Sequence, residues 1–238
     1  MPRSPELSKR AVALKPSLTL QISARAKALA NEGRDICSLS AGEPDFNTPE
    51  FIVEAARTAL SEGITRYGPA AGDPELRLAV AEKLTRENGI PTTSDQVLIT
   101  NGGKQAIFNL FQVLLNPGDE VLLPAPYWLS YPEMAALAGA RTITIPSRAD
   151  DGFQLDLKAL ESRISPNSRL LILNTPSNPT GRVMQRSELE QLAELVGRHP
   201  NLMVMCDEIY EYLLGDGLVH HSFACLLYTS PSPRDFVR

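Results

Sequence analysis

Apolar positions along the chain change period repeatedly, from helical spacing to short unbroken runs and back. The stretch from Pro16 to Gly33, PSLTLQISARAKALANEG, reads as a helix closed by Gly33. A short strand, ICSLS, is expected next, followed by the turn-rich AGEPDFNTPE. EFIVEAARTALSEG and DPELRLAVAEKLTRENG read as two further helices. Pro74 stands at the first helical position of the second, and a glycine closes each.

From Gln96 the pattern becomes strand, turn, helix. QVLIT reads as a strand, NGGKQ as a turn, and KQAIFNLFQVLL as a helix with Ile107, Leu110, Phe111 and Leu114 on one face. VLLP is the next strand, APYW the next turn and LSYPEMAALAGA the next helix. RTITIP is strand-like, LDLKALESRI is helical with Asp156 as its cap, and RLLILN is a buried strand before the loop TPSNPTG. SELEQLAELVGRHP reads as a helix opened by a Ser187/Glu190 capping box, with Leu189, Leu192, Leu195 and Val196 on one face. LMVMC closes the series as a strand. Strands separated by helix-length crossovers imply an α/β fold: a mostly parallel sheet with right-handed connections and helices on both faces. After Ala224 the pattern fails. CLLYTSPSPRDFVR shows neither period, and neither a helix nor a strand is expected there.

Composition changes this picture little. The 238 residues are 43% hydrophobic and 21% charged with net charge -5, an ordinary globular balance. No basic run points to nucleic acid or to a membrane surface, and no apolar run is long enough to span a bilayer. Three widely spaced cysteines, Cys37, Cys206 and Cys225, argue for a reducing compartment, and MPRSPELSKR lacks the apolar core of a secretory signal. A cytoplasmic location is expected.

In a parallel sheet, ligands bind beyond the carboxyl ends of the strands. The turns NGGKQ, APYW, TPSNPTG and DEIY are far apart in sequence, yet the topology sends all four to one rim. Gly102 and Gly103 before a helix let the backbone approach an anion, although such turns are also common without one. Trp128, the sole tryptophan, is either a core aromatic or a stacking face for a flat ring. Asn178, between Pro176 and Pro179, is either part of a tight turn or a fixed amide donor. Asp207 is either a cap or a partly buried carboxylate holding a positive charge, which burial would otherwise penalise. Tyr210 follows one helical turn later. His220 and His221 lack a ligand cluster at metal spacing and read as surface residues, so no metal is expected.

Taken together, LSAGEPDFNTP, RYGPAAGDPELR, NGGKQAIFNLFQ, PGDEVLLPAPYWLSYPEM, NTPSNPTG and DEIYEYLL resemble the fold-type I, pyridoxal-phosphate-dependent aminotransferases, in the prokaryotic aspartate aminotransferase branch of class I. The resemblance runs from about Leu7 to Ala224. It implies residues 1–45 as an N-terminal arm with part of a small domain, and 46–224 as an incomplete cofactor-binding large domain. It implies pyridoxal 5'-phosphate as cofactor. Gly103, Lys104 and Gln105 match the phosphate loop, and Trp128 matches the residue stacked on the ring. Asn178 and Tyr210 match donors to the phenolic oxygen, and Asp207 matches the partner of the pyridine nitrogen. Gly42, Trp128, Asn178 and Lys104 match substrate contacts, Lys104 toward the distal carboxylate of an acidic substrate. Tyr67 matches a tyrosine that reaches the neighbouring subunit's cofactor, so a homodimer is implied. The implied reaction moves an amino group between an amino acid, aspartate foremost, and a 2-oxo acid such as 2-oxoglutarate. A same-fold lyase or synthase shares the Asn, Asp and Tyr positions and stays open, as does a non-catalytic cofactor-binding remnant.

One part of the family pattern is missing. Its Schiff-base lysine lies downstream of DEIY, whereas the last lysine here is Lys158. The arginines that clamp the substrate carboxylate and the cofactor phosphate also belong downstream. CLLYTSPSPRD looks like translated sequencing-adapter sequence, and residues 225–238 are expected to be a non-native tail. The chain as written is therefore expected to be inactive, with none of its residues as the catalytic lysine.

Overall fold

The computed structural model describes residues 6–14, 18–39, 42 and 46–229. Contacts divide the chain into two compact units, Val12–Gly68 and the remainder. Helix α1 spans Lys9–Ala13. Within the smaller unit α2 covers Leu18–Asn31 and α3 covers Glu50–Ser61. Gly33 and Gly63 follow them with φ of 82° and 75°, the left-handed geometry that ends a helix cheaply only at glycine. The expected strand ICSLS does not form over residues 36–39, which have no regular structure and mostly stay exposed; residue 40 lies outside the described residues.

The larger unit opens with α4, Pro74–Glu87. Asp73 caps it, its Oδ1 accepting from the N–H groups of Glu75 at 2.9 Å and Leu76 at 3.1 Å. The expected strand QVLIT is a second correction. Ser94–Gln96 is a 3-10 turn, and residues 97–100 pair with no strand among the described residues. The backbone bonds of this stretch go elsewhere. Ile99 N donates to Ala71 O at 2.9 Å, and Val97 O accepts from Arg77 Nε at 2.8 Å. Local β propensity cannot make a strand without a neighbour to complete the ladder.

Helix α5, Gly103–Leu114, then leads into the sheet: β1 Glu120–Pro124, α6 Ser130–Leu137, β2 Arg141–Ile145, α7 Leu157–Glu161, β3 Ser168–Asn174, α8 Arg186–Gly197 and β4 Met203–Asp207. All pairings are parallel and the strand order is β2-β1-β3-β4. Val121, Leu123, Leu170 and Ile172 pack under α5 and α6, against Ile107, Phe111, Met134 and Ala135. Leu122, Leu171 and Leu173 face the other way, against Leu160 of α7 and Leu189, Leu192 and Leu195 of α8. The result is a three-layer sandwich whose central strands are buried on both faces, which is why they read as unbroken apolar runs. The amino ends of β1, β2 and β3 are tied by buried Glu120, which accepts from Arg141 Nη2 at 2.6 Å, from Ser165 Oγ in the turn before β3 at 2.6 Å and from Ser168 Oγ at 3.2 Å.

Two details at helix ends also differ from expectation. The capping box of α8 lies two residues earlier than Ser187/Glu190: Glu188 Oε2 accepts from Gln185 N–H at 2.8 Å, while Glu190 pairs with Arg186 at 2.9 Å. Beyond β4, Phe223–Thr229 forms a helix, α9, where none was expected. Phe223 and Leu226, three apart and so on one helix face, both bury in the α8 side of the core. Residues 230–238, most of the expected foreign tail, lie outside the described residues.

Candidate active site

The chain runs from β1 outward to β2, then crosses back to place β3 on the other side of β1. The carboxyl ends of β1 and β3 therefore flank a topological switch point, where connections leave in opposite directions and a crevice opens. Pro124 ends β1 and leads into APYW. Asn174 ends β3 and leads into TPSNPTG. Asp207 ends β4 in register with Asn174. Three of the four turns thus stand side by side, and the structure explains why: each continues a strand of one parallel sheet.

A chain of contacts joins them to the fourth. Lys104, in the first turn of α5, holds its Nζ 5.1 Å from the centre of the Trp128 ring. Trp128 meets Tyr131 edge to face, with centroids 5.2 Å apart. The Tyr131 hydroxyl donates to Asp207 Oδ2 at 2.7 Å. Asn174 Nδ2 donates to the Asp207 carbonyl at 2.9 Å, and Asn174 Oδ1 accepts from Asn178 N–H at 2.7 Å. Lys104, Trp128, Asp207 and Asn178 are brought together, and Tyr210 follows Asp207 in the next turn. Gly42 and Tyr67 belong to the smaller unit and are exposed there.

Tyr131 was not singled out in the sequence. It is 1% exposed, and burial, reinforced by the negative Asp207 beside it, pushes its phenol far above the ordinary tyrosine range. It therefore stays a proton donor to Asp207 at neutral pH. The available signal was a tyrosine within an apolar helix turn, since a buried phenol needs a partner.

Asp207 has no cationic partner among the described residues. Its carboxylate takes one phenol and a long bond of 3.3 Å from Ile209 N–H. The Asn178 side-chain amide and the Tyr210 hydroxyl have no hydrogen-bond partner among the described residues. In α5, Gly102 has φ 80° and needs glycine on conformational grounds. At Gly103 no such need exists, and a Cβ placed there meets nothing within 4 Å. The Gly103 and Lys104 amides, at the start of the helix, have no carbonyl a turn back to bond. Gln105 is partly committed, its Oε1 accepting from Asn101 N–H at 2.7 Å. A half-open pocket of about 60 Å³ is lined by Ala125, Tyr127, Asn174 and Asn178 among others, with room for ordered waters. The unpartnered groups themselves stand on an open rim.

This donor set fits pyridoxal 5'-phosphate. Open helix-start amides beside Lys104 suit a phosphate, the Trp128 face suits a flat ring, and a carboxylate lacking a cation suits a protonated ring nitrogen. His220 is corrected at the same time. Its side chain is 8% exposed and lies 3.4 Å from Glu208, so it is no surface residue. No group of three metal-ligating side chains occurs among the described residues.

The fold is a parallel α/β sheet, and its rim carries a donor set suited to a phosphate-bearing, flat-ringed cofactor. Residues 34–230 match the family described as aminotransferase class I and II, and the chain belongs to that family, whose members depend on pyridoxal phosphate. It is 52% identical over 220 residues to a bifunctional aspartate aminotransferase and glutamate/aspartate-prephenate aminotransferase of Petunia hybrida, covering 92% of this chain and 46% of that protein. To the aspartate/prephenate aminotransferase of Thermus thermophilus it is 48% identical over 211 residues, 89% of this chain and 54% of the relative. A solved structure of the Thermus thermophilus aspartate aminotransferase with maleate superposes with a TM-score of 0.90 at 46% identity, over 94% of this chain and 58% of that one. The chain spans about half the length of the curated relatives it matches.

Proposed function

We propose that this chain supplies the cofactor-binding half of an aminotransferase that moves an amino group between aspartate and a 2-oxo acid such as 2-oxoglutarate. The observation that supports this best is the Asp207 carboxylate. It is held by a buried phenol at the end of a strand and lacks a cation, beside the unpartnered Asn178 amide and Tyr210 hydroxyl. Bound here, pyridoxal phosphate would supply an electron sink for the amino acid's α-carbon. Asp207 keeps the ring nitrogen protonated, and Tyr131 fixes the angle of that carboxylate. Asn178 and Tyr210 donate toward the ring's phenolic oxygen. Gly103, Lys104 and Gln105 hold the phosphate, and Trp128 covers one ring face. Gly42, Trp128 and Asn178 meet the substrate, and the Lys104 ammonium, beside the Trp128 ring, also attracts a distal carboxylate. Tyr67 serves a partner subunit in a homodimer.

Residues 1–45 then belong to an arm and small domain, and 46–224 to the large domain. Cytoplasmic location and independence from nucleic acid complete the reading; no helix among the described residues is long and apolar enough to cross a membrane. A substrate panel on the gene product carrying this sequence tests it. Aspartate with 2-oxoglutarate should be transaminated faster than alanine or an aromatic donor. Elimination products in place of a new amino acid would assign the site to a lyase instead.

A further inference from the structure

Tyr210 stands on a segment that no ladder holds. Beyond β4, residues 208–213 form two turns, closed by Glu211 N to Glu208 O at 3.0 Å and Leu213 N to Tyr210 O at 2.8 Å. The other polar side chains of this segment are tied down. Glu208 accepts from Ser222 Oγ at 2.9 and 2.8 Å and from Phe223 N–H at 3.3 Å. Glu211 accepts from Lys83 Nζ, and from Asn88 Nδ2 at 2.7 Å, while Lys83 also donates to Asn88 Oδ1 at 2.7 Å. The Tyr212 hydroxyl donates to Glu87, and the Lys83 ammonium lies 5.2 Å from the Tyr212 ring centre. The carboxyl-terminal end of α4 therefore grips both residues that follow Tyr210. Only the Tyr210 hydroxyl is left without a partner among the described residues.

We propose that Lys83, Asn88 and Glu211 form a clamp that positions Tyr210 for the ligand, so that α4 sets where the phenol stands. The inference rests on the cofactor reading of Tyr210. Lys83 and Glu211 are 128 residues apart in sequence, and their side chains are only 25% and 20% exposed. A partly buried pair is less screened than an exposed one, and removing one member leaves the other without its charged partner. Burial works against both charges, yet the contact with the partner outweighs it: Lys83 is held above the usual lysine range and Glu211 below the usual carboxylate range. The ionised pair is thus the resting state at neutral pH. Without it, the segment keeps two backbone turn bonds, the Glu208 tie and the Asn88–Glu211 and Tyr212–Glu87 bonds, and it loses the charged contact that fixes Glu211 directly beside Tyr210.

The test is a double-mutant cycle of Lys83→Met and Tyr210→Phe in the 238-residue chain. It reads the Kd for pyridoxamine phosphate from the fluorescence of Trp128, the sole tryptophan. Lys83→Met should weaken binding roughly 3- to 10-fold when Tyr210 is present and less than about 2-fold when it is phenylalanine, the coupling expected of groups that act as a unit. Lys83→Arg should restore most of the affinity. Equal losses in the two backgrounds would overturn the clamp, because a merely structural role would not depend on the phenol. Should Lys83→Met lose its cooperative melt, Asn88→Ala, which leaves the ion pair in place, carries the same cycle. No binding by the unmodified chain would overturn the cofactor reading and the clamp with it; binding without coupling would overturn the clamp alone.

Discussion

Asp207 shows how a single side chain can carry chemistry and geometry at once. Its Oδ2 is fixed by Tyr131 at 2.7 Å, so Tyr131→Phe should destabilise the fold by about 1.5–3 kcal/mol, the range for a hydrogen bond to a charged group. The same change should weaken cofactor binding, and thermal melting with a binding titration would check both. Gly103 gives a prediction with two signs. A Cβ there meets nothing and relieves glycine's entropy cost in a helix, so Gly103→Ala should stabilise the chain by up to about 1 kcal/mol. It should also weaken phosphate binding, because the methyl group occupies the open cradle. Stability and affinity moving together would count against the cradle. Asp207, Asn178 and Trp128 were legible in the sequence because each is an unusual residue at the end of an apolar strand. Tyr131 was not. Its partner lies 76 residues away, and the apolar helix turn around it says only that the phenol needs a partner, not which one.

Elements were legible where their signals are local. α4, α5 and α8 announce themselves by period and by their end residues, and β1, β3 and β4 by unbroken apolar runs. QVLIT and ICSLS were misread because a strand is defined by its neighbour, and neighbours are not written in a five-residue window. The cap of α8 was displaced because Gln185 and Glu188 satisfy the same geometry as Ser187 and Glu190. The core of α8 predicts its own sensitivity: Leu192→Ala, at 0% exposure, should cost about 2–5 kcal/mol in a melting experiment. The tie between α4 and the Tyr210 segment has a pH window. Glu211, held low, contributes fully above the ordinary carboxylate value of about 4.3 and loses its contribution as pH falls through its folded value. Lys83, held high, contributes fully below about 10.4 and loses its contribution as pH rises through its folded value. The stability gap between the unmodified chain and Lys83→Met should therefore be widest near neutrality and close at both extremes. A gap independent of pH would show that the pair contributes only packing.

For the molecule as a whole, the family was legible because six motifs fall in order along one chain, while the site they form depends on a sheet that brings residues 104, 128, 178 and 207 to one rim. The groups proposed to hold the ring and phosphate stand on that rim, so binding can be read directly. The most direct measurement is a titration of the chain with pyridoxamine phosphate, followed through Trp128 and repeated on Asp207→Asn. Saturable quenching that the substitution weakens by roughly 30-fold or more, as expected for losing one partner of a hydrogen-bonded charge pair, is the predicted result. Equal binding by the two chains, or none by either, would contradict the assignment of Asp207 as the holder of the cofactor ring.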